Sequence, residues 1–185
     1  MLPEISLNVL DVVQNSIRAN AQNIKIKVER NTRDSILQVT IEDDGCGMDE
    51  EQIKAVYDPF YTSRTTRKVG LGIPFFKQAA ELAGGWLKVE STPDVGTVVR
   101  AEFHTDNIDC MPVGNMNDTI HALVTMNEDI DFEYECIVDG RSFVLDTREM
   151  KEILGDVSFK NPEVSEFIRS YLSENETEIL GNMNN

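Results

Sequence analysis

Ile41-Glu42-Asp43-Asp44-Gly45-Cys46-Gly47-Met48 is the stretch on which the reading of the fold turns. It follows a β-branched run, Ile36 to Ile41, and ends a strand in two carboxylates and two glycines, a loop chemistry rather than a helical one. Upstream, Ile24, Ile26 and Val28 alternate with Lys25, Lys27 and Glu29, the pattern of a half-buried strand, and Asn31 to Asp34 reads as the hairpin turn between the two. Further upstream, Leu7, Leu10, Val13 and Ile17 recur at spacings of three and four, so residues 5–18 are predicted to form an amphipathic helix. Downstream, Glu50 to Tyr57 reads as a short helix and residues 58–69 as a loop rich in Thr, Ser, Arg and Lys. Gly70-Leu71-Gly72-Ile73 opens a helix to about Ala83, stopped by Gly84-Gly85. Trp86 to Ser91 and Thr97 to His104 are predicted strands joined by Pro93-Asp94-Val95-Gly96.

Charge divides the 185 residues. Residues 1–104 hold 15 acids against 12 bases, whereas residues 105–185 hold 18 against 5, within a total of −16. The turn-prone run from Asp106 to Asn117 marks the expected boundary between a domain at 1–104 and a small acidic α+β extension at 105–185. In the extension, Ile120 to Met126 reads as a strand and Ile130 to Val138 as a two-faced strand with Asp131, Glu133 and Glu135 on its acidic side. Ser142 to Leu145 is a further strand candidate. Asp146-Thr147-Arg148-Glu149 looks like a capping box, and Asn161-Pro162 opens a last helix through Leu172. The net charge argues against nucleic acid or an anionic membrane surface as partner. No apolar run reaches the ~18 residues of a membrane span, and the start lacks signal-peptide features, so a cytoplasmic protein is expected. Cys46, Cys110 and Cys136 show no metal-ligand spacing and are expected to be free buried thiols; His104 and His121 are expected to be structural.

Two glycine loops are candidates for phosphate chemistry, because glycine before a helix exposes N–H groups at the positive end of the helix dipole. Arg64, Arg67 and Lys68 precede the second loop. There is no GxxxxGK[ST] loop, and the Gly70-Leu71-Gly72 run lacks the spacing of a dinucleotide loop. Taken in order, the elements resemble the GHKL ATPases: gyrase, heat-shock chaperone, histidine kinase and mismatch-repair protein. Asp11-Val12-Val13-Gln14-Asn15-Ser16-Ile17-Arg18-Ala19-Asn20-Ala21 looks like their N box, and Ile41 to Met48 like their G1 box. Asp58-Pro59-Phe60-Tyr61-Thr62-Ser63 looks like the F box, Val69 to Ile73 like the G2 box, and Gly96-Thr97 like the final Gly-Thr.

The resemblance implies a Bergerat-type two-layer α/β sandwich, with helices on one face of a mixed sheet, binding ATP and Mg²⁺. Asp43 would then accept from the exocyclic amine of adenine, Gly45 and Gly47 would admit the base, and Thr97 would support it. Asn15 would ligate the metal. Gly70 and Gly72 would offer N–H groups to phosphate, and Arg64, Arg67 or Lys68 would neutralise it. The same alignment places Met48, Phe60, Thr62, Ser63, Leu71 and Ile73 at the site. Members that hydrolyse ATP carry Glu four residues before the Asn; here the position holds Asp11, a carboxylate one methylene shorter. Arg18 stands where histidine kinases often have a cation and ATPases an Asp. The N box starts near the first residue, with no phosphoacceptor helix ahead of it. The expectation is therefore a stand-alone regulatory kinase acting in trans on a Ser, Thr or His of a partner, with Asp11 and Arg18 as its catalytic candidates. A slow ATPase switch and a non-catalytic ATP sensor are the alternatives. An unidentified protein partner, docked through the acidic extension, and a monomer or homodimer complete the expectation.

Overall fold

The structure is a computed structural model and describes residues 2–58 and 71–181. In chain order the elements are α1 (Ile5–Arg18), β1 (Asn23–Asn31), β2 (Ile36–Asp43), α2 (Glu50–Val56), α3 (Gly72–Leu82), β3 (Trp86–Thr92) and β4 (Gly96–His104). They continue with α4 (Met116–Met126), β5 (Asp131–Val138), β6 (Arg141–Asp146), α5 (Thr147–Leu154) and α6 (Pro162–Leu180). The strands form one six-stranded sheet in the order β3-β4-β2-β1-β5-β6. Every neighbouring pair is antiparallel except β1 and β5, which run parallel from Asn23 opposite Asp131 to Arg30 opposite Val138.

Alternation decides which face is covered. Ile24, Ile26 and Val28 of β1 share a face with Leu37, Val39 and Ile41 of β2 and with Phe132, Tyr134 and Cys136 of β5, and all are buried. Against them pack Ile5, Val9, Val12 and Val13 of α1, Phe76 and Ala80 of α3, Ile120 and Leu123 of α4, and Ile168 and Leu172 of α6. The opposite face is open and charged: Lys25 opposes Glu133 on β5 and Glu42 on β2, and Arg100 opposes Lys88 and Thr40. No helix among the described residues is long and apolar enough to cross a membrane.

The acidic region is built into this sheet through β5 and β6. Its expected first strand is a helix: Ile120 to Met126 belong to α4. The β-branched residues there suggest a strand, but Met116, Ile120, Leu123 and Val124 recur at helical spacing and bury one face, while Asn115 caps the helix by accepting from Asp118 N. The last helix also runs past Leu172 to Leu180. Of the three cysteines expected to be buried, only Cys136 is; Cys46 and Cys110 are partly exposed. The acidic stripe of β5 is largely neutralised from within. Glu133 lies 2.6 Å from Lys25 Nζ and 3.0 Å from Arg148 Nη2, and Asp131 lies 2.5 Å from Lys151 Nζ. Exposed carboxylates sit instead on α6, at Glu163, Glu166, Glu174 and Glu178.

Each outer edge of the sheet is stopped by a tyrosine hydroxyl. Tyr57 Oη accepts from Val89 N on β3 at 2.8 Å, and Tyr171 Oη donates to Val144 O on β6 at 2.8 Å. Unpaired edge groups invite pairing with another chain, so these two bonds block sheet extension. The Tyr57→Phe/Tyr171→Phe double variant is expected to self-associate in sedimentation velocity at concentrations where the parent sediments as a smaller species.

The helix pair α4–α6 carries a titratable contact. His121, buried on α4, lies 2.8 Å from Ser165 Oγ through Nε2 and 3.4 Å from Arg169 Nη2 through Nδ1. Only the neutral ring with its proton on Nε2 satisfies both neighbours. Burial, then the Arg169 charge, pull its pKa below the usual histidine value, against weaker opposing pulls from the Ser165 backbone and from Asp118 and Glu166. The unfolded chain therefore binds a proton more readily, and stability is lost as pH falls below about 6.5. Denaturant titrations between about pH 7 and 5 should show this loss, and His121→Gln should flatten it.

Candidate functional site

The carboxyl end of β2 and the second half of α1 converge. Ser16 faces inward from α1 and donates to Asp43 Oδ2 at 2.5 Å, and Gly45 N donates to Oδ1 at 2.9 Å. Asp43 is 9% exposed, and a carboxylate offers about four acceptor positions, so two bonds leave it capacity to accept from a ligand. Its neighbour Asp44 has a different task. Its Oδ1 accepts from Gln22 N at 2.7 Å and Asn23 N at 2.9 Å, and its Oδ2 accepts from Asn23 Nδ2 at 2.7 Å. Burial pushes the Asp44 pKa upward, but the bonds from Asn23 and Gln22 outweigh it and hold the carboxyl below the usual range. The turn between α1 and β1 is thereby locked to the glycine loop, and Cys46 N adds a bond to Ala19 O at 3.0 Å.

The loop glycines are explained by the protein itself. Gly47 has φ +64°, and a Cβ there would lie 2.0 Å from Thr92 O; a Cβ on Gly45 would lie 2.8 Å from that of Ala19. Across the loop, Ser91 Oγ accepts from Met48 N at 2.8 Å and donates to Gly96 O at 2.9 Å. With its one proton spent, Ser91 must accept from Thr97 Oγ1, 2.8 Å away, so the Thr97 hydroxyl faces any ligand as an acceptor. Thr97 stands opposite Asp43 in the β2–β4 register.

The other expected residues lie along α1 and the start of α3. Asp11 and Asn15 are one turn apart, with Arg18 Nη1 3.4 Å from Asn15 Oδ1. Asn15 Nδ2 is buried and has no hydrogen-bond partner among the described residues. Gly72 opens α3 directly against Asp11: a Cβ there would lie 2.6 Å from Asp11 Oδ2. Leu71 precedes α3 without a side-chain cap, and the first turn has no acid, so its N–H groups keep their anion-attracting character. Beyond Asp11 an apolar cleft of about 380 Å³ lies between Leu7 and Leu10 of α1 and Leu71 and Phe75 of α3. Ile73 is in the core, and Met48 is partly buried against it. Phe60, Thr62, Ser63, Arg64, Arg67, Lys68 and Gly70 lie outside the described residues.

Residues 4–107 match the family model described as histidine kinase-, DNA gyrase B-, and HSP90-like ATPase. The chain belongs to this ATPase family. Among curated proteins it is similar to the circadian input-output histidine kinase CikA of Synechocystis, 29% identical over 57% of this chain and 14% of that protein. It is also similar to the signal transduction histidine-protein kinase AtoS of Escherichia coli, 31% identical over 52% of this chain and 15% of that protein. The matched segment is thus about a seventh of the length of these kinases. Among solved structures, the Aquifex aeolicus MutL ATPase domain complexed with ADP aligns with 83% of this chain and 69% of that one, at 14% identity and a TM-score of 0.48.

Ser16, Asp44 and Ser91 are the working residues that motif reading of this ATPase domain passes over. Each acts by supporting a motif residue, and Ser16 next to Asn15 on the buried face of α1 was the available signal. Replacing Gly47 by Ala adds a steric clash to the ~1–3 kcal/mol conformational cost of a positive φ. Gly140, at φ +81° with nothing within 4 Å of a Cβ, isolates the conformational part. Gly47→Ala should therefore lower the denaturation midpoint distinctly more than Gly140→Ala.

Proposed function

We propose that the chain binds ATP–Mg²⁺ and acts as a protein kinase in trans on a hydroxyl or imidazole of a partner. The observation that carries this reading is the position of Asp11, whose carboxylate stands between the uncapped start of α3 and an open apolar cleft. The residues present fit the nucleotide and its metal. Asp43 keeps acceptor capacity for an exocyclic amine, and the start of α3 suits phosphate. Asn15 Oδ1 accepts from Arg18 Nη1 at 3.4 Å and keeps a second lone pair for the metal. No cluster of three or more acidic, His or Cys ligands exists among the described residues, so Mg²⁺ would rest on Asn15, phosphate and water.

Bound ATP supplies the phosphoryl group. The chain's part is positioning and charge neutralisation. An apolar partner segment seated between Leu10 and Phe75 would bring its nucleophile beside Asp11, which accepts the proton. Arg18, exposed two turns beyond Asp11 on α1 and 3.4 Å from Asn15 Oδ1, would add a cation on the phosphate side of the site. The second reading is a slow ATPase switch, favoured by the same carboxylate, because Asp11 would equally orient a water.

Incubation of the protein and a co-purified partner with γ-labelled ATP separates them. Transfer of label to the partner, lost in Asp11→Asn while nucleotide binding persists, is the expected result. Release of inorganic phosphate without partner labelling, abolished by the same variant, would replace the kinase by the switch. Binding with neither product would leave a nucleotide sensor.

A further inference from the structure

The helix that carries Asp11, Asn15, Ser16 and Arg18 is held at both ends by residues 105–181. At its start no side chain caps α1; Ile5 N donates to Pro112 O at 3.0 Å and Ser6 N to Val113 O at 2.8 Å. Asn8, fully buried one turn on, adds a contact from Nδ2 to Met111 Sδ at 3.5 Å. Past its end, Gln22 bonds in two directions. Its N–H goes to Asp44 Oδ1 in the glycine loop, and its carbonyl accepts from Asp131 N, the first residue of β5, at 2.8 Å. The start of β5 is in turn set by α5, because Phe132 N donates to Oγ1 of the fully buried Thr147 at 2.8 Å. Thr147, Phe132 and Asp131 thus lead to Gln22, Asp44 and the loop that holds Asp43.

We propose that the acidic region is a regulatory clamp on the nucleotide site: its position sets the geometry of α1 and the glycine loop, and nucleotide binding tightens the clamp in return. The inference rests on the nucleotide reading above. Its physical basis is that Asp44 spends both oxygens on Gln22 and Asn23, so β5 cannot move without moving either the Gln22 peptide or the loop. Any partner that shifts β5 or α5 therefore changes nucleotide affinity, and by linkage the nucleotide changes affinity for that partner by the same factor. Thr147 acts here as a positioning residue that touches no ligand.

The test uses the full chain and ADP–Mg²⁺. Residue-resolved amide exchange should slow at Ile5, Ser6 and Asp131 on saturation, by a larger factor than at Ile168 and Leu172 in α6. Thr147→Val, which keeps the shape and removes the acceptor for Phe132 N, should weaken ADP–Mg²⁺ at least threefold at unchanged circular dichroism, and Thr147→Ser should restore it. Slowing confined to residues 43–48, or equal slowing in α6, overturns the clamp, as does wild-type affinity in Thr147→Val. Should Thr147→Val fail to fold, the exchange comparison on the parent protein decides alone. Absence of ADP–Mg²⁺ binding by the parent would instead remove the nucleotide reading on which the clamp stands.

Discussion

A buried carboxylate must find donors, and in this molecule the Asp43 carboxylate finds them in Ser16 of α1 and in the backbone of Gly45. Leaving such a group without partners costs several kcal/mol, so the bond from Ser16 ties the helix layer to the sheet at one defined register. The glycine loop then has one course open to it. Gly45 lies against Ala19 and Gly47 against Thr92, and Ser91 fastens Met48 to the β3–β4 hairpin. What remains uncommitted after these bonds is what a ligand would meet: spare acceptor capacity on Asp43, the Thr97 oxygen, a second lone pair on Asn15 Oδ1 and the uncapped start of α3.

The two adjacent aspartates divide the work. Asp43 keeps acceptor capacity for the candidate site, whereas Asp44 faces the chain and welds the turn after α1 to the loop. Through Gln22 that weld reaches β5, so the acidic region and the site share a frame although charge composition separates them sharply. The open face of the sheet shows the same integration. Lys25 of the nearly balanced half neutralises Glu133 of the acidic half.

The sequence was most legible where structure is local. Alternation at Ile24–Val28 and at Ile130–Val138 located two central strands, and the spacing of Leu7, Leu10, Val13 and Ile17 located α1. The five motifs, read in order, indicated the family because each is a short segment with its own chemistry. Legibility failed where contacts are distant in sequence. Ile120–Met126 has β-branched residues that read as a strand, whereas the helical spacing from Met116 to Val124 gains its meaning from burial against α1 and α6. The cations of Glu133 were not legible in its own strand: Lys25 meets it through the parallel pairing of β5 with β1, and Arg148 through the antiparallel pairing of β5 with β6 that sets Asp146 opposite Glu133. Gly45 and Gly47 were readable as a loop signal, but the crowding by Ala19 and Thr92 that demands them was not.

On the proposed nucleotide reading, the Asp43 carboxylate, held by Ser16 and Gly45, would accept from an adenine amine. Calorimetric titration of the parent protein and of Asp43→Asn with ATP–Mg²⁺ and GTP–Mg²⁺ tests it most directly. The parent is expected to bind ATP and discriminate against GTP at least tenfold, and Asp43→Asn to lose ATP binding while its circular dichroism is retained. Equal affinity for the two nucleotides, or undiminished ATP binding by Asp43→Asn, would contradict it.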